Sequence, residues 1–192
     1  MCGEVLKQTF SKAPNWKLAA HQLVHVGVFS LPVVAITGFS TGLVLAAQSF
    51  FQLSDKGLAD VPGLMVAKAL ATELGPILTA FMVTGRVGAA MCAELGTMRV
   101  TEQIDAMRSM AISPINYLVV PRIFSTSLML PLLTTFSCFM GMIGGYLLSV
   151  YFFKMPSANF INPIPVYVNW FDVFTGLFKA LFFGFLIASV AC

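Results

Sequence analysis

Residues Leu18–Ser54 read LAAHQLVHVGVFSLPVVAITGFSTGLVLAAQSFFQLS, and this stretch of 37 residues contains no Asp, Glu, Lys or Arg. A helix needs about 20 apolar residues to cross the hydrocarbon core of a bilayer, so the stretch holds one membrane span with residues to spare. Only 10% of the whole chain is charged, whereas a soluble domain carries about 25% charged residues. The sequence therefore predicts an all-α integral membrane protein.

Three more apolar runs follow, separated by polar or proline-rich stretches. The chain of 192 residues accommodates four spans with short connections, which leaves no room for a sizeable soluble enzyme or ATPase domain. The residues before the first run are basic and aromatic, which is typical of a helix that lies in the membrane interface. The predicted segments are the interfacial helix at 4–25, span one at 27–51, span two at 64–93, span three at 115–150, an outward-facing segment at 154–172 and span four at 173–192.

Positively charged residues are unevenly distributed between the two sides of these spans. Seven lie at the N-terminus or near the connection between spans two and three, and three lie on the opposite side. Because Lys and Arg accumulate on the cytoplasmic side of membrane proteins, the bias predicts a cytoplasmic N-terminus. The seven are Lys7, Lys12, Lys17, Arg86, Arg99, Arg108 and Arg122, and the three are Lys56, Lys68 and Lys154.

The connection between spans two and three is the charge-rich piece of the sequence and is predicted to contain a short helix at 101–112. Thr101 is suited to the N-cap of this helix, and Glu102 is suited to its positive end. Pro114 disfavours helical geometry in the residue before it and so ends the element.

This short helix is predicted to be amphipathic. Ile104, Met107 and Met110 or Ala111 fall on one stripe, and Asp105 and Arg108 form an i, i+3 ion pair beside it. Two interpretations are open from the residues alone. The helix either only closes the connection, or it docks its Met-rich face into a groove on a soluble partner.

Glu73 is the charged residue that the sequence places deepest in a span, within Thr72-Glu73-Leu74-Gly75-Pro76. A carboxylate about 14 Å inside a span is costly to surround with lipid, so it is expected to face a polar cavity or a partner. Pro76 lacks an N–H, which leaves the carbonyl of Thr72 without its helical donor and kinks the helix. Charge and kink together predict a working cavity, and a structural polar contact between helices is the alternative.

Other patterns exclude several classes of function. Gly38–Gly42 matches the G-x-S-x-G motif of hydrolases but lies in an apolar helical run, where the strand-to-helix turn of that motif does not fit. The sequence has no Walker motif for ATP, and its four Cys residues show no metal-type spacing. His21 and His25 lie on one face of the interfacial helix, but two lone histidines do not indicate a metal site. A net charge of +3 is too small to indicate a nucleic-acid partner. These features predict neither an enzyme nor a metal protein.

Two further patterns concern helix packing. Arg86 and Glu94 are predicted to reach towards the cytoplasmic interface or to pair with each other. Small residues at four-residue spacing predict close helix packing, either within one chain or across a homodimer. They are Gly38 with Gly42, Gly85 with Ala89 and Ala93, Gly88 with Cys92 and Gly96, and Gly141 with Gly145.

The sequence also resembles a known family through several long motifs. They are Glu73-Leu-Gly-Pro-Ile-Leu-Thr-Ala80, Gly85-Arg86-Val-Gly-Ala-Ala, Ala93-Glu94-Leu-Gly-Thr-Met, Thr101-Glu-Gln-Ile-Asp-Ala-Met and Val120-Pro121-Arg122. Together they closely resemble the MlaE-type (YrbE-like) permeases of ABC transporters that move phospholipids. The likeness extends from the interfacial N-terminus to the end of the chain.

The resemblance implies a homodimeric permease of the bacterial inner membrane, each copy beginning with an interfacial elbow helix. A separate cytoplasmic ATPase would bind ATP and Mg, so this chain would carry no cofactor. A periplasmic MCE-domain lipid-binding protein would dock outside, and a small cytoplasmic accessory protein is a further candidate partner. The helix at 101–112 would be the coupling helix that seats on the ATPase, through Thr101, Glu102, Ile104, Asp105, Met107 and Arg108.

The resemblance also implies a lipid pocket between the two copies, open to the outside and lined by the first two spans. Glu73 matches a polar position of that pocket, next to Thr72 and Pro76. The apolar part would be lined by Leu43, Ala47 and Phe50.

Two features depart from the family pattern. Some members carry Arg immediately before the Glu-Leu-Gly-Pro motif, where this chain has Thr72, so the sequence does not predict a charge clamp on the lipid phosphate at that position. The family continues through a cytoplasmic loop into a fifth span, so four spans of a five-span permease are expected here.

Two other classes of function are open at the level of sequence. An ion-coupled secondary transporter or channel would use Glu73 to carry a proton or a cation, and its transport would persist without an ATPase. A membrane scaffold would tolerate loss of the Glu73 carboxylate with no effect beyond stability.

Overall fold

The computed structural model describes residues 16–54, 62–110 and 114–192, and these residues form helices and connections without a β-strand. Within these described residues, four helices are long and apolar enough to cross a membrane, which confirms the predicted all-α membrane architecture. We call them the first to fourth spans. Their bounds are Gln22–Leu53, Pro62–Val100, Tyr117–Phe152 and Trp170–Ala191.

The first span is assembled from two helices. Trp16–Gly27 continues through a 3₁₀ turn at Val28–Ser30 into Leu31–Ser54. Residues 4–15 of the predicted interfacial helix lie outside the described residues. Its placement in the membrane interface therefore stays a prediction.

The second span is longer than the predicted 64–93 and continues to Val100. The residues after Ala93 are mostly good helix formers, so their charges do not end the helix. Two π-helical turns interrupt the α-helix, at Leu70–Leu74 and Thr84–Gly88. Such turns insert one residue and are frequent at functional sites.

Three short helices complete the described chain. Gln103–Ser109, which we call the loop helix, follows the second span. Ser157–Ile161 and Pro163–Tyr167 precede the fourth span. Phe160 in the first of these is buried, and a Cβ built on Gly63 would meet the carbonyl and the ring of Phe160. Because Gly63 has no side chain, this short helix packs directly against the start of the second span.

The contacts within the chain define two compact units. The first unit contains the described residues up to Ser30 together with Ala80–Leu130 and Leu181–Cys192. The second contains Leu31–Thr79 and Pro131–Ala180. The core of the second unit is apolar and consists of Ala46, Val66 and Leu70, packed against Leu45, Cys138, Met142 and Leu148.

Glycines set the closest helix approach in the second unit. A Cβ built on Gly42 would overlap the carbonyl of Gly141, and one built on Gly38 would lie 2.7 Å from the carbonyl of Ser137. This part of the small-residue pattern therefore packs within one chain. In the first unit, a Cβ on Gly85 would have no neighbour within 4 Å.

Gly42→Ala is expected to lower the free energy of unfolding by about 2 kcal/mol, because the new methyl group meets a backbone carbonyl that cannot move away cheaply. Thermal unfolding in detergent measures the change. Gly85→Ala is the matched control, and it should be neutral or stabilising by up to about 1 kcal/mol, since it adds a methyl group in open space on a helix. Equal stability of the two variants would contradict this account of the packing.

Candidate functional site

A charged pair links the second and fourth spans within the second unit. Lys179 Nζ lies 2.6 Å from Glu73 Oε1 and donates a hydrogen bond to it. Sequence reasoning placed Glu73 correctly as a charge inside a span but missed Lys179. The available signal was that Lys179 is the one charged residue in the apolar run from Val173 to Cys192.

The same lysine satisfies the backbone carbonyl that Pro76 leaves without a donor. Lys179 Nζ lies 3.2 Å from the carbonyl oxygen of Thr72. Just before Pro76, the N–H of Gly75 donates to the carbonyl of Leu70 in a π-type bond. The carbonyl that Pro76 leaves without its α-helical donor therefore accepts a hydrogen bond from a side chain of another helix.

Glycine at position 176 allows the fourth span to approach this turn. A Cβ built on Gly176 would overlap the carbonyl of Ala71 and lie 3.6 Å from the ring of Pro76. From the third span, Cys138 Sγ donates to the carbonyl of Leu70 at 3.4 Å. Three consecutive carbonyls of the π-helical turn therefore face neighbouring helices.

A second ion pair of opposite polarity joins the same two spans. Lys68 of the second span lies 3.9 Å from Asp172 of the fourth. The Asp172 carboxylate also accepts a hydrogen bond from the backbone N–H of Asn169 at 3.2 Å, which caps the start of the fourth span. The second span supplies the base of this pair and the acid of the Glu73–Lys179 pair, and the fourth span supplies the opposite charges. A shift of either helix along the other would separate both ion pairs.

The Glu73–Lys179 pair is not enclosed by the chain. The side chain of Glu73 is 57% exposed and that of Lys179 is 35% exposed. Charges placed inside a span face polar surroundings or a partner rather than hydrocarbon. The arrangement is therefore able to contact a polar part of a ligand or of another protein from the side of the bundle.

The apolar residues predicted for the same pocket lie on one face of the first span. Leu43, Ala47 and Phe50 are spaced by four and three residues and are all half-buried. The ring of Phe50 stacks on Phe153 with centroids 4.0 Å apart and an angle of 9°. The described contacts thus join Phe50 to the residue that directly follows the third span, whereas the polar contacts of Glu73 are with the fourth span.

The loop helix begins later than predicted, and the assignment of Thr101 as its N-cap is wrong. Thr101 instead ends the second span, where its N–H donates to the carbonyl of Thr97. Glu102 precedes the loop helix with a left-handed φ of 57°, and its side chain makes no capping hydrogen bond. The chain therefore changes direction through one strained residue.

The apolar stripe of the loop helix faces its own unit. Ile104 lines a cavity of ≈ 330 Å³ together with residues of the second and third spans, and Met107 is half-buried. The predicted ion pair is confirmed, with Arg108 Nη1 3.4 Å from Asp105 Oδ1 and both side chains about 70% exposed (69% and 73%). The exposed face thus carries the Asp105–Arg108 pair, and Met110, which directly follows the helix, is 63% exposed.

The predicted pairing of Arg86 with Glu94 is wrong. Glu94 Oε2 lies 2.6 Å from Nη2 of Arg122, a buried residue of the third span. Arg86 Nη1 instead donates to Ser30 Oγ at 3.1 Å. Arg86 lies within a π-helical turn, where the inserted residue changes its direction relative to residues further along by about 100°.

Comparisons with known proteins decide the family. A family profile described as "Permease MlaE" matches residues 19–192. The chain is 43% identical to a probable ABC transporter permease protein of Rickettsia conorii, over 91% of this chain and 68% of the relative. The chain belongs to the MlaE permease family.

Two further relatives support the membership. A probable ABC transporter permease protein of Synechocystis is 38% identical over the whole of this chain and 73% of its own length. The protein named intermembrane phospholipid transport system permease protein MlaE in Haemophilus influenzae is 32% identical over 92% of this chain and 68% of its own length. This MlaE-family chain is thus a multi-pass membrane subunit of an ABC transporter and not itself an enzyme.

In this MlaE-family permease, Glu73→Gln and Lys179→Met are expected to be non-additive. Either single change leaves a charged or polar group of the pair unsatisfied, so the double variant should be more stable than the sum of the singles by about 1 kcal/mol. Thermal unfolding of the four proteins in detergent measures this coupling. The exposed Asp105–Arg108 pair is the matched control, with a coupling below about 0.5 kcal/mol. Additive effects at Glu73 and Lys179 would count against a functional ion pair.

Glu102→Gly is expected to preserve the loop helix, because glycine adopts a positive φ without strain. Glu102→Val should destabilise the local turn by about 1–2 kcal/mol, since a β-branched residue is disfavoured in the left-handed region. Limited proteolysis between residues 101 and 114 measures the opening, with cleavage of the Val variant faster by about tenfold. Equal cleavage of both variants would show that the turn carries no strain.

Proposed function

We propose that this chain is the permease subunit that moves phospholipids between the inner membrane and a periplasmic MCE-type lipid carrier, driven by a separate cytoplasmic ATPase. The observation that carries the proposal is the family membership together with the relative named for intermembrane phospholipid transport. The partly exposed Glu73–Lys179 pair inside otherwise apolar spans supports it, because a phospholipid needs both polar and apolar contacts.

The proposed lipid site is a pocket at the interface of two copies of the chain. Leu43, Ala47 and Phe50 contact the acyl chains, since their half-buried apolar surface is what hydrocarbon requires. Glu73 and Lys179 contact the headgroup. Lys179 supplies a cation close to Thr72, the position where some family members carry Arg, so a charge clamp is available from a different helix.

The proposed contact with the ATPase uses the exposed face of the loop helix. Asp105 and Arg108 are the exposed charged side chains of this helix, and Ile104 and Met107 hold it on its own unit. Closure of the ATPase dimer on ATP displaces the loop helix and the attached ends of the second and third spans, which compresses the lipid pocket. ATP and Mg are bound by the ATPase.

The proposed orientation has the N-terminus and the loop helix in the cytoplasm. Without Lys179, which is paired inside the fourth span, the Lys and Arg residues remain distributed seven to three in favour of that side. Helices Ser157–Ile161 and Pro163–Tyr167 then face the periplasm, where the MCE-type protein docks. A small cytoplasmic accessory protein is a further partner under this proposal.

The test is phospholipid transfer from proteoliposomes, containing the chain and its ATPase, to the purified MCE-type protein. Transfer is expected to require ATP, and Glu73→Gln should slow it by about tenfold because a charge-assisted contact is lost. Association with the ATPase, measured by copurification, should be unchanged in this variant. An Asp105→Ala and Arg108→Ala double variant should instead lose the ATPase from the membrane fraction, and ATP-dependent transfer should be lost with it.

Two results would overturn the proposal. Transfer that proceeds without ATP and collapses with an ion gradient would instead favour a secondary transporter that uses Glu73. Copurification of neither an ATPase nor an MCE-type protein with the tagged wild-type chain would leave the transporter without its partners.

A further inference from the structure

Arg86 is a cation inside a span that the described residues do not neutralise. Of the described acidic side chains, Glu73, Glu94, Asp105 and Asp172 are paired with other bases. Glu102, which lies beyond the end of the second span, forms no ion pair with a described residue. Arg99 likewise has no carboxylate within 4 Å in the described part of the chain, but it is the second-last residue of the second span. Arg86 lies fourteen residues, about 21 Å, before the end of that helix.

The guanidinium group of Arg86 is held in place by two contacts within the first unit. Its Nη1 donates to Ser30 Oγ at 3.1 Å, and Ser30 is buried with 2% of its surface exposed. The ring of Phe29 lies 5.8 Å from the central carbon of the guanidinium, close enough for a cation–π contact. A positioned guanidinium loses less entropy when it binds a further group than a free side chain would.

Arg86 is an exposed residue. The neighbouring Gly85 has nothing within 4 Å of the position that a Cβ would take. Of the five N–H donors of Arg86, one is used by Ser30 Oγ. The planar fork of the remaining donors matches the oxygens of a phosphate group.

The surface around Arg86 is apolar and exposed, as expected for a lipid-facing position. Val28 and Phe29 are 52% and 55% exposed, and Val24, one turn earlier on the same helix face, is 54% exposed. The ring of His25 lies 5.4 Å from that of Phe29 and adds a polar group at the edge of this patch. A cation suited to a phosphate, beside exposed apolar side chains, matches the headgroup and the acyl chains of a phospholipid.

We propose that Arg86 binds the phosphodiester of a membrane phospholipid, with Ser30 and Phe29 holding the guanidinium and Val24 and Val28 contacting an acyl chain. This headgroup site is formed within the first unit, whereas Glu73 and Lys179 belong to the second. It does not depend on the proposed transport, because it requires neither an ATPase nor an MCE-type partner.

Native mass spectrometry of the delipidated full chain in detergent tests the proposal, with phosphatidylglycerol as the probe. Arg86→Gln is expected to weaken phosphatidylglycerol binding by about tenfold, as the loss of a charge-assisted contact predicts. Diacylglycerol with the same acyl chains should bind equally to both proteins, because it lacks the phosphate. Arg99→Gln is the matched control and should bind phosphatidylglycerol like the wild type.

Ser30→Ala is a second variant, since it keeps the arginine and removes only its fixing hydrogen bond. A loss of about threefold is expected. Equal phosphatidylglycerol binding by wild type and both variants would overturn the proposal. An equal loss in Arg99→Gln would overturn it by showing unspecific charge attraction. Displacement of phosphatidylglycerol by inorganic phosphate would overturn the assignment to a lipid headgroup.

Discussion

The packing of the second and fourth spans depends on which group donates a hydrogen bond to the backbone carbonyl of Thr72, four residues before Pro76. In hydrocarbon an unpaired carbonyl costs several kcal/mol, so a proline in a span favours a replacement donor, which a neighbouring helix is able to supply. Lys179 supplies it, and the ammonium charge in turn requires the Glu73 carboxylate. Both contacts need the helices close together, which Gly176 permits. One missing N–H thus accounts for a lysine, a carboxylate and a glycine spread over a hundred residues of sequence.

Several of the few charged residues in the spans form contacts between helices. Glu73–Lys179, Lys68–Asp172 and Glu94–Arg122 each join two different spans. Apolar association between helices gains little in lipid, because lipid tails are as apolar as the side chains. Polar pairs and glycine contacts therefore provide the specificity that a hydrophobic core provides in water. A partly exposed pair in such a bundle is also the natural place for a polar ligand group to bind.

The apolar stripe of the loop helix does not by itself show which surface the helix contacts. Its stripe of Ile104 and Met107 is equally suited to bind a partner or to bind its own chain. The structure turns this stripe inward, over a cavity of ≈ 330 Å³, and leaves Asp105 and Arg108 outside. Contact with a soluble partner through this helix is therefore expected to be electrostatic and sensitive to salt.

The sequence by itself determined the membrane architecture, the four spans, the family and the special status of Glu73 and Pro76. These follow from local properties, namely uncharged length, helical period and the missing N–H of proline. Only the tertiary structure identified Lys179 as the partner of Glu73, directed Glu94 to Arg122 and placed Thr101 at the end of a helix. Which side chains meet depends on helix rotation, and a single inserted residue in a π-helical turn changes that rotation by about 100°. No local pattern in one chain encodes where two distant helices touch.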